Sequence, residues 1–398
     1  MRKSASSILF ITIFIDLLGY GIVIPLLPEY ARTFGASAFV VGIVVASYSA
    51  MQFLFSPILG GLSDRFGRRP VLLATIAINA VGYVIFGLVS NLALLFAARL
   101  ISGIAAANLA VAQAYLSDVT APEKRVKAFG MIGAATGLGF VFGPPIGGFI
   151  TANFGVAMVG YVVAALCLLN FVLAFVRLPE TRKTTTTNIA RGLIDLSTFR
   201  SVLRSPVLLR LFWVYFLFIS GFAVLNVVGT LLWIDRFTLT DAQVGYTFGL
   251  IGIITALVQG FIGKITARFG EKSTMTGGLA LMTVGLIAMP LVPQLLFVPG
   301  ELLAIAVFAV GYALVLPTGT ALVAIAIDDG PQGQILGQYQ SVGALARIIG
   351  PLLGGAAYQI AQGAPFFAGA ALMALALVLG AGIAVANRTT TQPAMAEQ

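Results

Sequence analysis

The chain alternates between long apolar runs and short polar segments. Twelve of these runs are long enough to cross a bilayer as a helix, which takes about 20 predominantly apolar residues. They cover roughly residues 8–30, 38–62, 71–90, 92–117, 128–152, 156–177, 207–234, 242–266, 274–293, 297–326, 333–361 and 364–387. The pattern therefore predicts an all-α membrane protein with twelve transmembrane helices.

The first run has one feature of a signal peptide, because Arg2 and Lys3 precede it. However, it contains Asp16, Pro25 and Pro28, lacks a convincing small-residue cleavage site, and exceeds a normal signal core in length. We therefore interpret it as a retained transmembrane helix.

Composition supports a membrane protein and removes several classes of function. Hydrophobic residues make up 59% of the 398 positions and charged residues 9%, whereas soluble domains carry about 25% charged residues. The single cysteine, Cys167, excludes an intramolecular disulfide, and the absence of histidine excludes histidine zinc sites and Ser-His-Asp triads. The sequence has no P-loop and no paired acids or nucleophile–base set within its spans. We expect no catalytic residue, no metal, and no enzyme activity.

Basic residues mark one side of the predicted helices. The net charge is +9, but the basic residues lie in short loops and do not predict a contiguous surface for nucleic acid. One set of loop ends holds Arg2, Lys3, Arg65, Arg68, Arg69, Lys124, Arg125, Lys127, Lys264, Arg268, Lys272 and Arg388, and the other holds only Arg32 and Arg236. By the positive-inside rule, both termini are predicted to be cytoplasmic in a multi-pass protein of the cell (inner) membrane.

The longest polar stretch, residues 178–206, divides the chain into halves. We predict an N-terminal six-helix bundle at 1–177, a cytoplasmic linker at 178–206, a C-terminal six-helix bundle at 207–388 and a cytoplasmic tail at 389–398. Apolar and basic residues alternate at near-helical spacing late in the linker, namely Leu193, Leu196, Phe199, Val202 and Leu203 with Arg191, Arg200 and Arg204. This segment is either a helix on the lipid surface or a flexible tether.

The two halves repeat each other at an offset of about 205 residues. The loop at 60–69 matches that at 263–272, and the Gly-Pro-rich run at 143–148 matches that at 350–355. Parallel repeats of six helices are typical of secondary transporters, which hold their site between two similar bundles.

At these motifs the sequence resembles the major facilitator superfamily. The segments that carry the likeness are the loop from Gly60 to Arg69, Arg99-x-x-Ser102-Gly103, Gly139-x-x-x-Gly143-Pro144-x-x-Gly147-Gly148, and Asp16-Leu17-Leu18-Gly19-Tyr20-Gly21 with Pro25 and Pro28. They are similar to a cytoplasmic loop, a helix-four element, the helix-five signature of antiporters, and the first helix of drug:proton antiporters near the tetracycline exporters. The resemblance implies two pseudo-symmetric six-helix bundles and a proton gradient, with no cofactor, as the energy source.

Asp16 is the only acid predicted to lie deep in a span. An intramembrane carboxylate is costly and is by default a functional hypothesis, so Asp16 is a candidate proton-coupling residue. The alternative is a structural partner for an arginine or for backbone at the Gly19–Gly21 bend. Arg99 is the expected partner of Asp16, directly or through water, and the resemblance implies that it tunes the proton site. The alternative is an arginine that only reaches the outer interface.

A second set of residues is predicted to contact substrate. Arg347 lies near the middle of the eleventh run, where no acid of its own half is available, so it bonds either to carbonyls near Gly350 or to substrate. Since the resemblance implies that helices one, four, seven and ten line the cavity, we predict a largely apolar pocket with polar or aromatic groups at Tyr20, Asn108, Asn226 and Tyr312. Candidates from other spans are Tyr48, Gln52, Gln338 and Tyr339. Each of these is also a candidate packing residue.

The loop at 60–69 is predicted to form a conformational latch between the bundles. Its members are Asp64, Arg65, Gly67, Arg68 and Arg69. Asp64 can pair with the N-terminus of a helix from the other half, where partial positive charge collects. The alternative is that these charges only set topology. The second copy has Ala267 in place of the aspartate, so any latch is asymmetric.

The fifth helix carries a predicted hinge. Proline removes a backbone donor and glycine allows close helix approach, so Gly139, Gly143, Pro144, Gly147 and Gly148 are expected to bend the helix and seal the bundle interface. Ordinary membrane packing also uses glycine at this spacing.

The sequence departs from the tetracycline exporters in one respect. Their further membrane acids on helices three and nine fall near Gly82 and Met282 here, so tetracycline itself is less favoured. We expect proton-coupled export of small amphipathic compounds by alternating access. The alternative is a proton symporter or uniporter for an anionic metabolite or lipid-like substrate. A non-transporting receptor is disfavoured because the linker and tails are too short for a signalling domain. The expected partners are a small-molecule substrate, protons and the lipid bilayer, with no nucleic acid, and the chain is expected to act as a monomer.

Overall fold

The described part of the protein is helical. The structure, a computed structural model, describes residues 2–24, 26–36, 38–181, 196–327 and 332–383, and these ranges contain no β-strand. The helices of the first half are α1 (Arg2–Val23), α2 (Leu27–Thr33), α3 (Ala38–Phe66), α4 (Arg68–Gly87), α5 (Leu92–Ala106), α6 (Asn108–Val119), α7 (Arg125–Phe154) and α8 (Val156–Arg177). They are followed by α9 (Leu196–Arg204), α10 (Pro206–Val224), α11 (Thr230–Phe237), α12 (Asp241–Phe269), α13 (Glu271–Ala288), α14 (Leu302–Ala326), α15 (Gln332–Ile360) and α16 (Ala364–Ala381).

Helix length and composition match the predicted spans. Within the described ranges, eleven helical stretches are long and apolar enough to cross a membrane, and Ile8–Val23 of α1 is a shorter apolar helix. The fourth pass consists of α5 and α6, which meet at Ala107. The seventh consists of α10 and α11, joined by a π-helical turn at Leu225–Gly229.

The first predicted run is shorter in the structure than in the sequence analysis. It was expected to extend over residues 8–30, but α1 ends at Val23 and a separate helix begins at Leu27. Pro28 lies in the first turn of α2, where a missing N–H costs nothing, whereas a proline inside α1 would have removed one of its backbone hydrogen bonds.

The described end of the linker is helical. Residues 182–195 of the predicted linker, including Arg191 and Leu193, lie outside the described residues, and α9 covers the remainder. Phe199 and Leu203 are exposed on α9, whereas Val202 is buried. The placement of α9 on the lipid surface stays a prediction, as do the boundaries of the bundles and the tail.

The halves meet mainly along two pairs of long helices. α3 packs along α15, and α7 packs along α12. We call the side on which α3 ends at Phe66 and α15 begins at Gln332 the basic face, and the side with the turns at Gly35 and Gly155 the distal face.

Glycines on these four helices show where the seam between the halves is closed. Each helix carries two glycines 18 residues apart, which is five helical turns and therefore the same face. The pairs are Gly42 and Gly60, Gly130 and Gly148, Gly245 and Gly263, and Gly337 and Gly355. A Cβ atom on the member nearer the basic face would meet the opposite half, whereas one on the distal member would have no atom within 4 Å outside its own helix. The halves are therefore in contact towards the basic face and apart towards the distal face.

Candidate functional site

Asp16 lies near the middle of α1, and asparagine side chains bind both of its carboxylate oxygens. Asn79 Nδ2 on α4 donates to Asp16 Oδ1 at 2.8 Å, and Asn108 Nδ2 at the start of α6 donates to Oδ2. At 1.5 Å per residue, Asp16 is about 21 Å along α1 from Arg2. Both asparagines are buried, while Asp16 keeps some exposed surface. Two neutral donors thus hold an acid at mid-membrane depth.

The interruption of the fourth pass explains why Asn108 reaches Asp16. α5 ends at Ala106 and α6 begins at Asn108, with Ala107 between them. Gln52 Nε2 on α3 donates to the Ala106 carbonyl oxygen at 3.2 Å. This bond satisfies a carbonyl group at the break, where an unpaired backbone group would be costly in lipid.

Arg99 does not pair directly with Asp16, contrary to the first of the two arrangements predicted. Among the described residues, no ion pair within 4 Å joins them, and each carboxylate oxygen of Asp16 accepts from an amide instead. The Arg99 guanidinium instead lies 4.4 Å from the ring centre of Tyr48, and Tyr48 packs against Tyr20 at 4.9 Å. Arg99 is 2% exposed, and its Nε and Nη2 atoms are buried without a hydrogen-bond partner.

Arg347 has a partner that the sequence analysis did not identify. Its Nη2 donates to Gln52 Oε1 in the other half at 2.7 Å. Tyr215 donates to Gln340 Oε1 at 3.1 Å, and Gln340 Nε2 donates to Gln113 Oε1 at 2.9 Å, which crosses the seam a second time. Side-chain hydrogen bonds at Gln52 and at Gln113 therefore join the first half to the second.

The predicted substrate residues fall into different environments. Tyr312 lines a pocket between the halves, together with Phe222, Phe248, Gly137 and Thr136, and its ring stacks on Phe222 at 4.2 Å. Tyr20 interacts electrostatically with both Arg99 and Arg347.

The other two candidates are placed differently. Tyr339 is 2% exposed and stacks on Tyr215 at 3.9 Å, so in this conformation it packs inside the second half. Asn226 lies in the π-helical turn, and its side chain lies outside the described part of the protein.

Asp64 lies across the seam from the N-terminus of α15. Its two carboxylate oxygens accept hydrogen bonds from the backbone N–H groups of Gly333 at 3.1 Å and Gln334 at 2.8 Å. Arg68, which is fully buried, forms ion pairs with Asp64 at 2.8 Å and with Asp118 at 2.9 Å. This is the geometry expected of an acid that binds a helix N-terminus of the other half. Its role as a latch stays a prediction.

The other predicted latch residues bind within the first half. The Glu180 carboxylate accepts hydrogen bonds from the backbone N–H groups of Arg68 and Arg69 at 2.9 and 3.0 Å, and a Cβ atom on Gly67 would lie 2.6 Å from Glu180 Oε2. The Arg69 side chain donates to the Phe175 carbonyl at 2.6 Å. Arg65 lies over the ring of its neighbour Phe66.

Arg125 is a latch candidate that the sequence analysis treated only as a topology charge. Its Nη1 donates to the carbonyl oxygen of Ala324 at 2.7 Å, near the C-terminus of α14, where a cation is favoured by the helix dipole. Its partner is far away in sequence, so no local pattern could have identified the contact.

The predicted helix-five hinge residues pack mainly against α1 of the same half and do not face the other half. Cβ atoms on Gly139, Gly143 and Gly147 would meet Leu17, Gly21 and Ile22 of α1 in the same half, and one on Gly148 would have no neighbour within 4 Å. The expectation that this run seals the interface between the halves is therefore wrong here. Different glycines of α7 do so, Gly130, Gly133 and Gly137, which meet α12. Pro144 lies inside the continuous helix α7.

Gly82 and Met282, the positions expected to replace acids, are packed. A Cβ atom on Gly82 would lie 2.6 Å from Ser102 Oγ, and Met282 is fully buried. The polar group of α4 that reaches the site is Asn79, one turn away. Its signal in the sequence was a lone polar side chain inside an apolar run.

A multi-pass helical protein with two joined halves, buried charges at mid-depth and a pocket between the halves has the architecture of a membrane transporter. The family model described as Major Facilitator Superfamily matches residues 9–351 and also residues 236–394. The chain belongs to this superfamily.

Curated relatives and solved structures agree with this assignment. The chain is 32% identical over 381 residues to the class C tetracycline resistance protein of Escherichia coli, covering 92% of this chain and 93% of that protein. It is 28% identical to Multidrug resistance protein 2 of Bacillus subtilis, covering 96% and 94%. The crystal structure of the human organic anion transporter MFSD10 (TETRAN) superimposes with a TM-score of 0.86 at 27% identity, covering 95% and 99%. The predicted superfamily, its tetracycline-exporter-like branch and the fold class are confirmed.

Proposed function

We propose that this protein exports small amphipathic compounds in exchange for protons by alternating access. The names of its bacterial relatives, which refer to resistance to tetracycline and to multiple drugs, support export. The absence of acids at Gly82 and Met282 favours compounds other than metal-chelated tetracycline.

The charge pattern supports an orientation for this activity. Since the basic face carries most of the loop Lys and Arg residues, we assign it to the cytoplasm together with both termini of a monomer in the cell membrane. The structure then represents an outward-facing conformation, closed by the contacts of Asp64 and Arg125 and open towards the distal face.

The observation that carries the proposal is the hydrogen bonding of Asp16 by two neutral amides. Removal of a carboxylate charge beside an arginine would leave an uncompensated buried cation, which is costly. The direct partners of Asp16, Asn79 and Asn108, carry no charge, so protonation of Asp16 breaks no ion pair. In the deprotonated state both amides donate to the carboxylate and stabilise it. Asp16 is thus suited to alternate between the two states during transport.

The pocket supports an amphipathic substrate. Tyr312, Phe222 and Phe248 form an aromatic wall in the second half, and aromatic faces bind apolar rings well.

Transport by purified protein in proteoliposomes tests the proposal. With an imposed pH gradient, the unmutated protein is expected to move a fluorescent lipophilic drug, and Asp16→Asn to abolish gradient-driven movement while drug binding persists. Asp235→Asn is the matched control, since Asp235 is an exposed acid that accepts a hydrogen bond from Tyr358. Unchanged gradient-driven transport by Asp16→Asn would disprove the assignment.

A second candidate function is transport of an organic anion. Two guanidinium groups, Arg99 and Arg347, interact with Tyr20 in a region where Asp16 is the acid, so positive charge exceeds negative charge there. The human structural neighbour is described as an organic anion transporter. Proton flux driven by substrate distinguishes the candidates: protons moving opposite to a lipophilic drug support export, and protons moving with an anionic dye support symport.

A further inference from the structure

Glu301 is a buried acid that has no role in the proposed mechanism of Asp16. It is the last residue of the π-helical turn Phe297–Glu301 that precedes α14, and it is fully buried. Its Oε1 atom accepts a hydrogen bond from the indole Nε1 of Trp233 at 2.9 Å. Its Oε2 atom is buried without a hydrogen-bond partner. One of its two oxygens is therefore left unsatisfied.

The charged groups near Glu301 do not neutralise it by an ion pair. Arg236 on α11 interacts with Glu301 electrostatically, but its Nη1 donates to the Pro290 carbonyl, and no ion pair within 4 Å joins the two among the described residues. The acid of α11, Asp235, is exposed and accepts a hydrogen bond from Tyr358 of α15 at 2.8 Å. Within the described part of the chain, the hydrogen bond that the Glu301 side chain accepts comes from Trp233, a neutral group.

A carboxylate in this setting is unstable relative to a protonated carboxyl group. Burial of an unpaired charge is costly, and an ionisable group escapes the cost by becoming neutral. From this geometry we propose that Glu301 is a second proton-binding site, located in the second half and independent of Asp16.

The position of Glu301 connects this proton to the pocket. Its partner Trp233 is fully buried on α11, and α11 continues through the π-helical turn Leu225–Gly229 into α10, which carries Phe222 of the pocket wall. A change in the hydrogen bond between Trp233 and Glu301 therefore acts on the helix that borders the substrate. The site is independent of the proposed export activity, since its occupancy is measurable without transport.

Tryptophan fluorescence offers a direct test, because the chain has only two tryptophans. Trp213 is 52% exposed on α10, and Trp213→Phe leaves Trp233 as the sole emitter. Since the indole donates to the Glu301 carboxyl group, we expect its emission to change in a one-proton step between about pH 5 and pH 9, where buried carboxyl groups can titrate. The step is expected to vanish in Glu301→Gln and to persist, with a shifted midpoint, in Glu301→Asp.

Two controls separate Glu301 from other acids. The step is expected to remain in Asp235→Asn and in Asp16→Asn. A flat profile in the Trp213→Phe protein, or an unaltered step in Glu301→Gln, would refute proton binding at Glu301, and loss of the step in Asp16→Asn would refute its independence. Infrared difference spectra provide a check that needs no folded Glu301 variant. The unmutated protein is expected to show a protonated-carboxyl band that is lost at high pH, and the same band must be present in Asp16→Asn.

Discussion

Arg347 on α15 donates a hydrogen bond to Gln52 on α3 at 2.7 Å, and this contact links the two halves near the middle of both helices. Gln52 in turn donates to the carbonyl of Ala106 at the break between α5 and α6, next to the asparagine that holds Asp16. The cross-half contact and the acid are therefore separated by one short segment of backbone.

Loss of the Arg347–Gln52 bond is expected to favour separation of the halves. A hydrogen bond to a charged group contributes about 1.5–3 kcal/mol, so Gln52→Leu and Arg347→Gln should each lower the population of the observed conformation by roughly 10- to 100-fold. The populations are measurable from distances between spin labels on cysteines introduced into α3 and α15. Cys167→Ser removes the native cysteine so that only these positions are labelled. The double variant should be no more affected than either single variant. Additive effects would show that the two side chains act separately.

Asp64→Asn is expected to open the basic face. The substitution removes the charge that accepts from Gly333 and Gln334 and leaves Arg68 with Asp118 as its remaining ion-pair partner. The loss should be about 1–3 kcal/mol, observed as longer spin-label distances at the basic face and higher reactivity of cysteines placed there. Glu271→Gln in the corresponding loop of the second half is the control, and an equal response to both substitutions would contradict a specific role for Asp64.

Gly60→Ala is expected to destabilise the closed seam, because its Cβ atom would overlap the carbonyl oxygen of Gly333. Overpacking of this kind typically costs about 1–3 kcal/mol. Gly260→Ala, at a position with no neighbour within 4 Å, is the control. Thermal stability and spin-label distances together check the result: Gly60→Ala should lengthen the distances at the basic face, and Gly260→Ala should not.

Substitution of the two amides that bind Asp16 is expected to change the pH dependence of transport. Asn79→Leu and Asn108→Leu each remove a donor that stabilises the charged carboxylate, so release of the proton requires a higher pH, and half-maximal transport should shift upward in pH. Asn170→Leu is a matched control, since Asn170 is a buried asparagine that accepts a hydrogen bond from Thr12. Equal shifts in all three variants would indicate a general packing effect.

Local pattern predicted the helices because lipid imposes the same requirement on each span. Apolar length and the basic loops depend on neighbouring residues alone, and the internal repeat is visible in the sequence without any structure. Together they led to the correct fold. The break at Ala107 escaped this approach, since neither proline nor glycine marks it and Gln52, more than 50 residues away, satisfies the exposed carbonyl.

The site was only partly predictable, for a related reason. Asp16 was recognisable because a carboxylate is rare in an apolar run, whereas its real partners, Asn79 and Asn108, are neutral residues of the kind that also serve packing. The expected pairing with Arg99 followed from charge alone and missed that amides can satisfy a carboxylate. Glu301 was overlooked since it lies close to a span end, where sequence offers no measure of burial.

The paired glycines on α3, α7, α12 and α15 have a consequence for the conformation opposite to this one. Five turns separate the members of each pair, about 27 Å along the helix axis. A Cβ atom on the distal member of every pair would have no neighbour within 4 Å. If the halves rock as rigid bodies about a fulcrum near Arg347 and Gln52, the distal glycines come together as the basic ones part. Switching would then exchange one set of neighbours for another along helices that keep their shape, and no segment would need to unfold and refold in each cycle.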